Sequence, residues 1–318
     1  MNRHRTAASV LLAAGALVAG VLTAAAPSVA ATASEGGASF RPSQTQGFWT
    51  PERMRAATPL DLTAAPGAGG RAVATTGTPT TVAPTAAASP TAFPQAGGAW
   101  TGGGAVVRTS GRVFFTFGDR TASCSGDSIS SANGSTVITA GHCVKYQGSW
   151  HTNWIFVPAY DNGNAPYGQW SATKTSATDQ WAAGEDMNFD VGFAVVAPQN
   201  GKKLSEVVGA QGITFNGGYN KRMYAFGFPA AAPYDGTKLV YCSGNSGKDF
   251  LLTKDHSLGC NMTGGSSGGP WFQDFNESTG LGNQVSVNSF GYTFLPNRMY
   301  GPYFGNEVKA TYDKAATS

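Results

Sequence analysis

Short apolar stretches separated by turn residues dominate the later part of the chain. Runs rich in β-branched and aromatic side chains recur at residues 112–117, 136–140, 154–157, 191–196, 212–215, 223–226 and 284–290. Clusters of Gly, Asn and Pro bound them, as at residues 161–164 and 216–218. Such runs between turn signals are typical of β-strands. The pattern predicts an all-β fold of sandwich or barrel type.

One segment before the end has a different periodicity. Val308, Tyr312 and Ala315 or Ala316 recur at intervals of three to four residues, which would bring them near one face of a helix. We therefore expect a single terminal helix over residues 305–316.

The first thirty residues are typical of an export signal. Residues 1–5 are basic, residues 7–26 form an uncharged run rich in Ala, Leu and Val, and small residues up to Ala30 close the segment. A membrane anchor is the alternative, because the run is long enough to span a bilayer. The small-residue ending favours a signal cut after Ala30. We expect a secreted, extracellular product with no membrane contact after signal removal.

Residues 31–98 are rich in Ala, Thr, Pro and Gly, and we expect a pro-segment or linker here. Stretches such as residues 78–84 offer too little apolar surface to offset the entropy lost on folding. Residues 48–55 are an exception, because they carry aromatic and basic groups. They either dock on the later domain, expected over residues 99–318, or belong to a plain tether.

Charge is scarce and balanced in this later domain. Only 12% of the 318 residues are charged, and fifteen Lys and Arg face fifteen Asp and Glu after residue 98. Proteins that bind nucleic acid or anionic membranes carry an excess of clustered cations. We therefore expect neither partner. The sequence says nothing about oligomeric state, and a monomer is our working expectation.

Four cysteines fall into two sequence-local pairs. Cys124 and Cys143 are 19 residues apart, and Cys242 and Cys260 are 18 apart. Four cysteines can form two disulfides in three ways, and in an oxidising compartment these spacings favour the way that joins each local pair. A zinc site is the alternative, but no C-x2-4-C spacing is present. We expect no metal and no cofactor.

His142 is the histidine best placed for chemistry. It follows the apolar pair Val137-Ile138 by a small-residue turn, and Cys143 anchors the turn. A strand end of this kind holds an imidazole rigidly, as a general base requires. His151 and His256 lie among polar residues, and we expect them on the surface.

A glycine-rich loop at residues 264–269 surrounds two serines. Glycine permits backbone conformations in which successive N–H groups converge on one point beside a hydroxyl, which is the geometry of an oxyanion hole. Such loops are often flexible linkers. Here Cys260 on one side and Pro270 on the other pin it in place.

Asp190 stands at the head of the apolar run 191–196. A carboxylate that enters a core needs a hydrogen-bonding partner, and an imidazole N–H is suitable. Asp186 is the alternative, but its neighbours are more polar. We favour Asp190.

Together, the motifs TAGHC at residues 139–143 and GSSGGP at residues 265–270 resemble those of the chymotrypsin-like serine protease family, in its secreted bacterial-type branch. The resemblance covers about residues 105–316. It implies two six-stranded antiparallel β-barrels, meeting near residues 197–210, with the site between them. It also implies a secreted endopeptidase that acts on protein or peptide substrates.

The resemblance also assigns roles to individual residues. Ser267 corresponds to the nucleophile, His142 to the general base and then acid, and Asp190 to the group that orients the imidazole. The backbone N–H groups of Gly265 and Ser267 correspond to the oxyanion hole. The main alternative is a catalytically silent binding module on the same fold.

The specificity pocket follows from the same resemblance. Its base corresponds to Asn261, with Met262 and Thr263 following, and its wall to residues 289–291, which are Ser289, Phe290 and Gly291. Because Asn261 is not acidic, the pocket predicts a neutral, medium-sized or apolar residue before the scissile bond.

Two positions depart from relatives in this family. Ser266 stands where the family usually has the Asp that pairs with a newly cut amino terminus, so we expect no activation switch of that kind. The loop is also similar to that of glutamyl endopeptidases, but Asn288 replaces their wall histidine. A preference for Glu is therefore not expected.

Overall fold

The computed structural model describes residues 37–65, 73–84 and 93–318. The expected signal segment, residues 1–30, lies outside the described residues. Residues 31–36, 66–72 and 85–92 of the expected pro-segment lie outside them as well.

The described chain is built mainly from β-strands. In chain order they are β1 (Ala38–Phe40), β2 (Thr58–Pro59), β3 (Leu62–Ala64), β4 (Thr80–Val82), β5 (Gln95–Ala99), β6 (Ser110–Phe117), β7 (Arg120–Ile129), β8 (Thr136–Thr139), β9 (Lys145–Tyr146), β10 (Ser149–Trp150), β11 (Thr152–Pro158), β12 (Trp170–Ala177), β13 (Gly192–Val196), β14 (Gly212–Phe215), β15 (Arg222–Gly227), β16 (Val240–Asn245), β17 (Gly247–Lys248), β18 (His256–Gly259), β19 (Pro270–Asn276), β20 (Leu281–Val287), β21 (Phe290–Tyr292) and β22 (Leu295–Gly301).

Helices are few and mostly short. Those of the described residues are α1 (Pro51–Ala56), α2 (Val106–Thr109), α3 (Asp179–Gly184), α4 (Leu204–Val208) and α5 (Asn306–Ala316), with 3-10 turns at Gly141–Cys143 and Met187–Phe189. The expected terminal helix is α5, and its existence is confirmed. The other four are too short to leave a helical period in the sequence. Within the described residues, no helix is long and apolar enough to cross a bilayer.

Six antiparallel strands close into a barrel in the first half of the described chain. Their order around the ring is β11, β6, β7, β8, β13 and β12, and β12 pairs back onto β11. Large apolar side chains such as Phe115, Phe156 and Phe193 are fully buried in this half. The all-β, chymotrypsin-like class expected from the sequence is confirmed.

The second half consists of two further sheets rather than one closed ring. One has seven strands in the order β4, β14, β20, β19, β15, β16, β5, and the other has five in the order β17, β18, β22, β21, β3. The disulfide Cys242–Cys260 joins β16 of the first to the residue that follows β18 of the second. The chain passes between the halves after β13, through a connection that contains α4.

Helix α5 packs against both halves. Its buried side chains recur on one face and include Val308, Tyr312 and Ala315. The Tyr312 ring lies 6.2 Å from that of Phe193 in β13 and 5.3 Å from that of Phe215 in β14. The helix thereby covers the apolar residues where the two halves adjoin.

Much of the Ala/Thr/Pro-rich segment is folded onto the later domain. Strands β1, β2, β3, β4 and β5 pair with β12, β7, β21, β14 and β16 respectively. Trp49 and Met54 are buried, and the Trp49 ring lies 5.4 Å from that of Phe114. Residues 48–55 therefore dock on the later domain, which is one of the two alternatives that the sequence left open. β5 (Gln95–Ala99) also runs across the boundary expected at residue 98.

Candidate active site

His142 lies at the edge of the barrel, in the turn Gly141–Cys143 that follows β8. Its side chain is fully buried. A Cβ at Gly141 would come within 2.6 Å of the Trp181 ring and 2.9 Å of Asp190 Oδ1, so only glycine fits this close approach. Cys143 is bonded to Cys124, which fixes the end of the turn. The imidazole is consequently held by covalent and steric constraints.

Asp190 is a fully buried carboxylate with three donors around it. Its Oδ2 lies 2.7 Å from His142 Nδ1 and accepts a hydrogen bond from Ser289 Oγ at 2.6 Å. Its Oδ1 accepts from the backbone N–H of His142 at 2.7 Å. These donors offset the cost of removing a carboxylate from water. With the ring proton on Nδ1, Nε2 is left as the proton acceptor.

Asp186, the rival carboxylate, serves the turn instead. Its Oδ1 accepts from the backbone N–H of Asn188 at 3.1 Å and from that side-chain amide at 3.2 Å. Asn188 Oδ1 in turn accepts from the backbone N–H of Lys254 at 2.7 Å. Asp186 therefore shapes the backbone that presents Asp190.

The glycine-rich loop has the backbone conformation that its composition suggested. Gly265 has φ +94° and Gly268 has φ +82°, values that L side chains rarely adopt. Added side chains would also collide, because a Cβ at Gly268 would lie 2.1 Å from Thr139 Oγ1. The loop is thus shaped by glycine and packed tightly against the barrel.

Ser125 ties the loop to the first barrel. Its backbone N–H donates to the Ser267 carbonyl oxygen at 2.7 Å, and its hydroxyl donates to the Gly265 carbonyl oxygen at 2.9 Å. Because His142 belongs to the same barrel, these bonds fix Ser267 relative to the imidazole. The loop that carries Ser267 therefore packs against the barrel that carries His142 and Asp190.

The backbone N–H of Gly265 and the hydroxyl of Ser267 converge on one oxygen. The Leu60 carbonyl oxygen lies 3.3 Å from Gly265 N and 3.5 Å from Ser267 Oγ. His142 Nε2 is buried and has no hydrogen-bond partner among the described residues. Residues from the leading segment thus stand where sequence analysis expected an oxyanion hole.

A cavity of about 210 Å³ adjoins the loop. Four of the residues expected in a specificity pocket line it, namely Asn261, Met262, Thr263 and Gly291. The Asn261 side-chain oxygen accepts from the Tyr234 hydroxyl at 2.6 Å, and the Thr263 hydroxyl donates to the Ala231 carbonyl at 2.6 Å. Both polar side chains are therefore fixed by their own hydrogen bonds.

Ser289 and Phe290, also expected in the pocket wall, do not line this cavity. Ser289 turns its hydroxyl to Asp190. Phe290 stacks on Tyr300 with ring centroids 5.1 Å apart. Of this wall, only Gly291 faces the cavity.

The expectation that His151 and His256 lie on the surface is wrong, because both are buried. His151 Nε2 lies 2.9 Å from the His142 carbonyl oxygen, and its ring stacks on Phe115 at 4.3 Å. Burial lowers the pKa of each imidazole to about 4. His151 therefore supports the backbone of His142 as a neutral donor. The polar residues next to His151 in the sequence gave no indication of this role.

Both cysteine pairs form local disulfides, Cys124–Cys143 and Cys242–Cys260. The Sγ atoms of Cys124 and Cys143 lie close to the ring of His142. Because these sulfurs are bonded to each other, they are not thiolates available to a metal ion.

Comparison with solved structures identifies the family. The protease Anisep from Arthrobacter nicotinovorans is 46% identical, with a TM-score of 0.64, over 67% of this chain and 98% of that one. The thermostable serine protease AL20 from an extremophilic microorganism is 41% identical, with a TM-score of 0.64, over 67% of this chain and 99% of that one. The chain belongs to the bacterial serine proteases of chymotrypsin-like fold.

Other comparisons of this chain are weaker. A Glu endopeptidase is 16% identical, with a TM-score of 0.55, over 70% of this chain and 97% of that one, which supports the fold alone. The extracellular metalloprotease of Bacillus subtilis (strain 168) is 36% identical over 61 residues, and the match spans only 20% of that protein. No family model matches the chain.

Proposed function

We propose that this protein is a secreted serine endopeptidase that uses Ser267, His142 and Asp190. One observation carries the proposal. Ser289 and His142 both hydrogen-bond to the buried carboxylate of Asp190, and in the glycine-rich loop the Gly265 N–H donates to the Leu60 carbonyl oxygen. An oriented base, a serine hydroxyl on a glycine-shaped loop and a backbone donor that stabilises an anion are the parts that acyl transfer requires.

In the first half of the reaction, Ser267 Oγ attacks the carbonyl carbon of the scissile peptide and gives its proton to His142 Nε2. Asp190 remains ionised and stabilises the imidazolium through Nδ1. The N–H groups of Gly265 and Ser267 stabilise the negative oxygen of the tetrahedral intermediate. His142 then protonates the leaving amine, and the acyl group stays on Ser267.

In the second half, water attacks the acyl-enzyme while His142 removes its proton. Collapse of the second tetrahedral intermediate releases the new carboxyl group and returns the proton to Ser267 Oγ.

The expected signal in residues 1–30 and the two disulfides support export. Disulfides persist in oxidising compartments, and the structure pairs every cysteine of the chain.

The pocket supports substrates without a basic residue before the scissile bond. Asp61 of the leading segment lines the cavity beside the loop, but residues 93–318 contribute no Asp or Glu to it. Once the leading segment has left the cleft, a Lys or Arg side chain there would lose water without gaining a carboxylate partner. A peptide library cut by the protease tests this, and a dominant preference for Lys or Arg would refute it.

The proposed nucleophile is tested by a fluorophosphonate serine reagent, intact mass and peptide mapping on protein recovered from the medium of a secreting host. We expect one adduct, at Ser267. Ser266→Ala is the matched control, because Ser266 is adjacent but gives its hydroxyl hydrogen to the Thr263 carbonyl at 2.8 Å. Labelling must survive Ser266→Ala and vanish in Ser267→Ala. Absence of labelling in full-length and shortened protein alike would favour a silent binding module.

A further inference from the structure

Residues 58–64, which we name the cleft segment, cross the candidate site from one half of the protein to the other. Its first part, β2, pairs in parallel with β7, and the Leu60 N–H donates to the Ser123 carbonyl at 2.9 Å. Its last part, β3, pairs in parallel with β21 along the pocket wall. The Ala64 carbonyl accepts from Thr293 N–H at 3.2 Å. The segment therefore occupies the length of the cleft.

Backbone contacts at the centre of the cleft segment engage the proposed catalytic groups. The Leu60 carbonyl oxygen accepts from Gly265 N–H at 3.3 Å, in the position of a substrate oxygen. Ser267 Oγ donates to the same oxygen at 3.5 Å and makes no hydrogen bond with His142 Nε2. Among the described residues, His142 Nε2 has no partner. The hydroxyl and the base are therefore not hydrogen-bonded to each other while the segment is in place.

Side chains of the cleft segment anchor it beside the pocket. Leu62 and Ala64 are buried against the core. Asp61 stands at the mouth of the cavity, where a Cβ on Gly264 would lie 3.0 Å from its own Cβ. Thr63 lines the same cavity. Part of the pocket lining is therefore supplied by the cleft segment itself.

The direction of the segment is opposite to that of a substrate. A productive substrate supplies the attacked carbonyl from the residue whose side chain enters the pocket, and the acyl part precedes that carbonyl. Here the carbonyl belongs to Leu60, whereas Asp61, the following residue, stands at the pocket. Residues 62–64 along β21 also follow the carbonyl instead of preceding it.

From these contacts we infer that residues 58–64 are a built-in inhibitor, bound in the cleft in the reverse direction and therefore held there without being cut. This inference rests on the proposed function. It deepens that function, because it names the segment that keeps the protease inactive before removal of the leading region.

Labelling of full-length chain by the fluorophosphonate reagent tests the inhibitor. In Thr63→Pro, the proline ring fixes φ at about −65° in the middle of β3, away from extended-strand values, and so loosens the segment. Thr81→Pro makes the same change in the middle of β4, another leading strand, which pairs with β14 away from the site. We expect labelling at Ser267 at least about tenfold faster in Thr63→Pro than in wild type, since a blocked site reacts only when open. Thr81→Pro should match wild type, and equal rates in wild type and Thr63→Pro would overturn the inference.

Amide hydrogen exchange separates this inference from the proposed function, because it requires no catalysis. In full-length Ser267→Ala protein, we expect the amides of Gly265 and Thr293 to be protected, and protection to fall when Thr63→Pro is added. Unchanged exchange would refute the inhibitor whatever the activity. If exchange changes as expected but no variant is labelled, the cleft is occupied and the proposed catalysis fails.

The mass of full-length wild type after prolonged incubation tests the direction. The bonds between residues 60 and 61 and between residues 61 and 62 should stay intact. A cut at either bond would show that the segment binds as a substrate, which overturns the reverse binding.

Discussion

The hydroxyl of Ser289 and the ring of His142 share one oxygen of Asp190. Ser289 Oγ lies 2.6 Å from Asp190 Oδ2, and His142 Nδ1 lies 2.7 Å from the same atom. Because the carboxylate is fully buried, its orientation is set by these bonds and by the His142 N–H on its other oxygen. Ser289 is thus a positioning residue, acting through Asp190.

Replacing Ser289 by Ala should lower kcat by about tenfold and leave KM nearly unchanged, because a hydrogen bond to a charged group contributes about 1.5–3 kcal/mol. Steady-state kinetics on a peptide substrate provides the measurement. Ser286→Ala is the control, since that hydroxyl donates to the Pro302 carbonyl at 2.8 Å outside the site. Equal effects of the two changes would contradict the positioning role.

Asp190→Asn should lower kcat by about four orders of magnitude, because an amide no longer holds the imidazole in the required tautomer. Asp186→Asn, four residues earlier, should cost far less, since Asp186 only shapes the preceding turn. Rates of fluorophosphonate labelling report both effects. If Asp186→Asn is the more damaging change, the orienting carboxylate has been misassigned.

Gly265→Ala keeps the backbone N–H but should displace it by straining the loop, and so lower kcat by about two to three orders of magnitude, the cost of losing one oxyanion donor. The backbone there has φ +94°, and an added Cβ would lie 3.0 Å from the Ala230 Cβ. Gly148→Ala is a matched control, because Gly148 has φ +76° but open space around its Cβ position. Single-turnover kinetics on both variants separates catalysis from backbone strain, and similar losses would argue against the oxyanion role.

Asp127 makes the stability of the fold depend on pH. Burial raises the pKa of this carboxyl to about 8, opposed in part by a hydrogen bond from Ser110. The folded state therefore holds a proton that the unfolded chain releases near pH 4. The stability due to this proton is complete below about pH 4 and is lost as pH rises toward 8.

Asp127→Asn should accordingly flatten the decline in the free energy of unfolding between about pH 4 and pH 8, because the amide cannot ionise. Urea unfolding at a series of pH values measures this. The exposed Asp119→Asn change should leave the profile as in wild type. An Asp127→Asn profile as steep as that of wild type would show that this carboxyl is ionised in the fold.

Sequence alone anticipated the parts of the site that depend on local chemistry. The turn at His142 and the glycine loop at Gly265 carry their backbone requirements in their own residues, and Asp190 precedes an apolar run. The burial of His151 had no such signal, because it depends on Phe115, a residue far away in the chain. The role of residues 58–64 also left no signal, since strands of two and three residues that pair with distant edges have no recognisable period in the sequence.

Strand β5 limits how far the leading segment could be trimmed without disturbing the proposed pocket. Gln95–Ala99 forms the edge of a sheet beside β16, and Asn261 N–H donates to the Ala96 carbonyl at 2.9 Å. Trimming the chain to residue 99 would strip this edge from the pocket base and leave the Asn261 amide without that acceptor. Under the proposed function, a maturation cut that preserves the pocket would therefore fall upstream of Gln95, and the new amino terminus would lie close to Asn261 at the proposed pocket base.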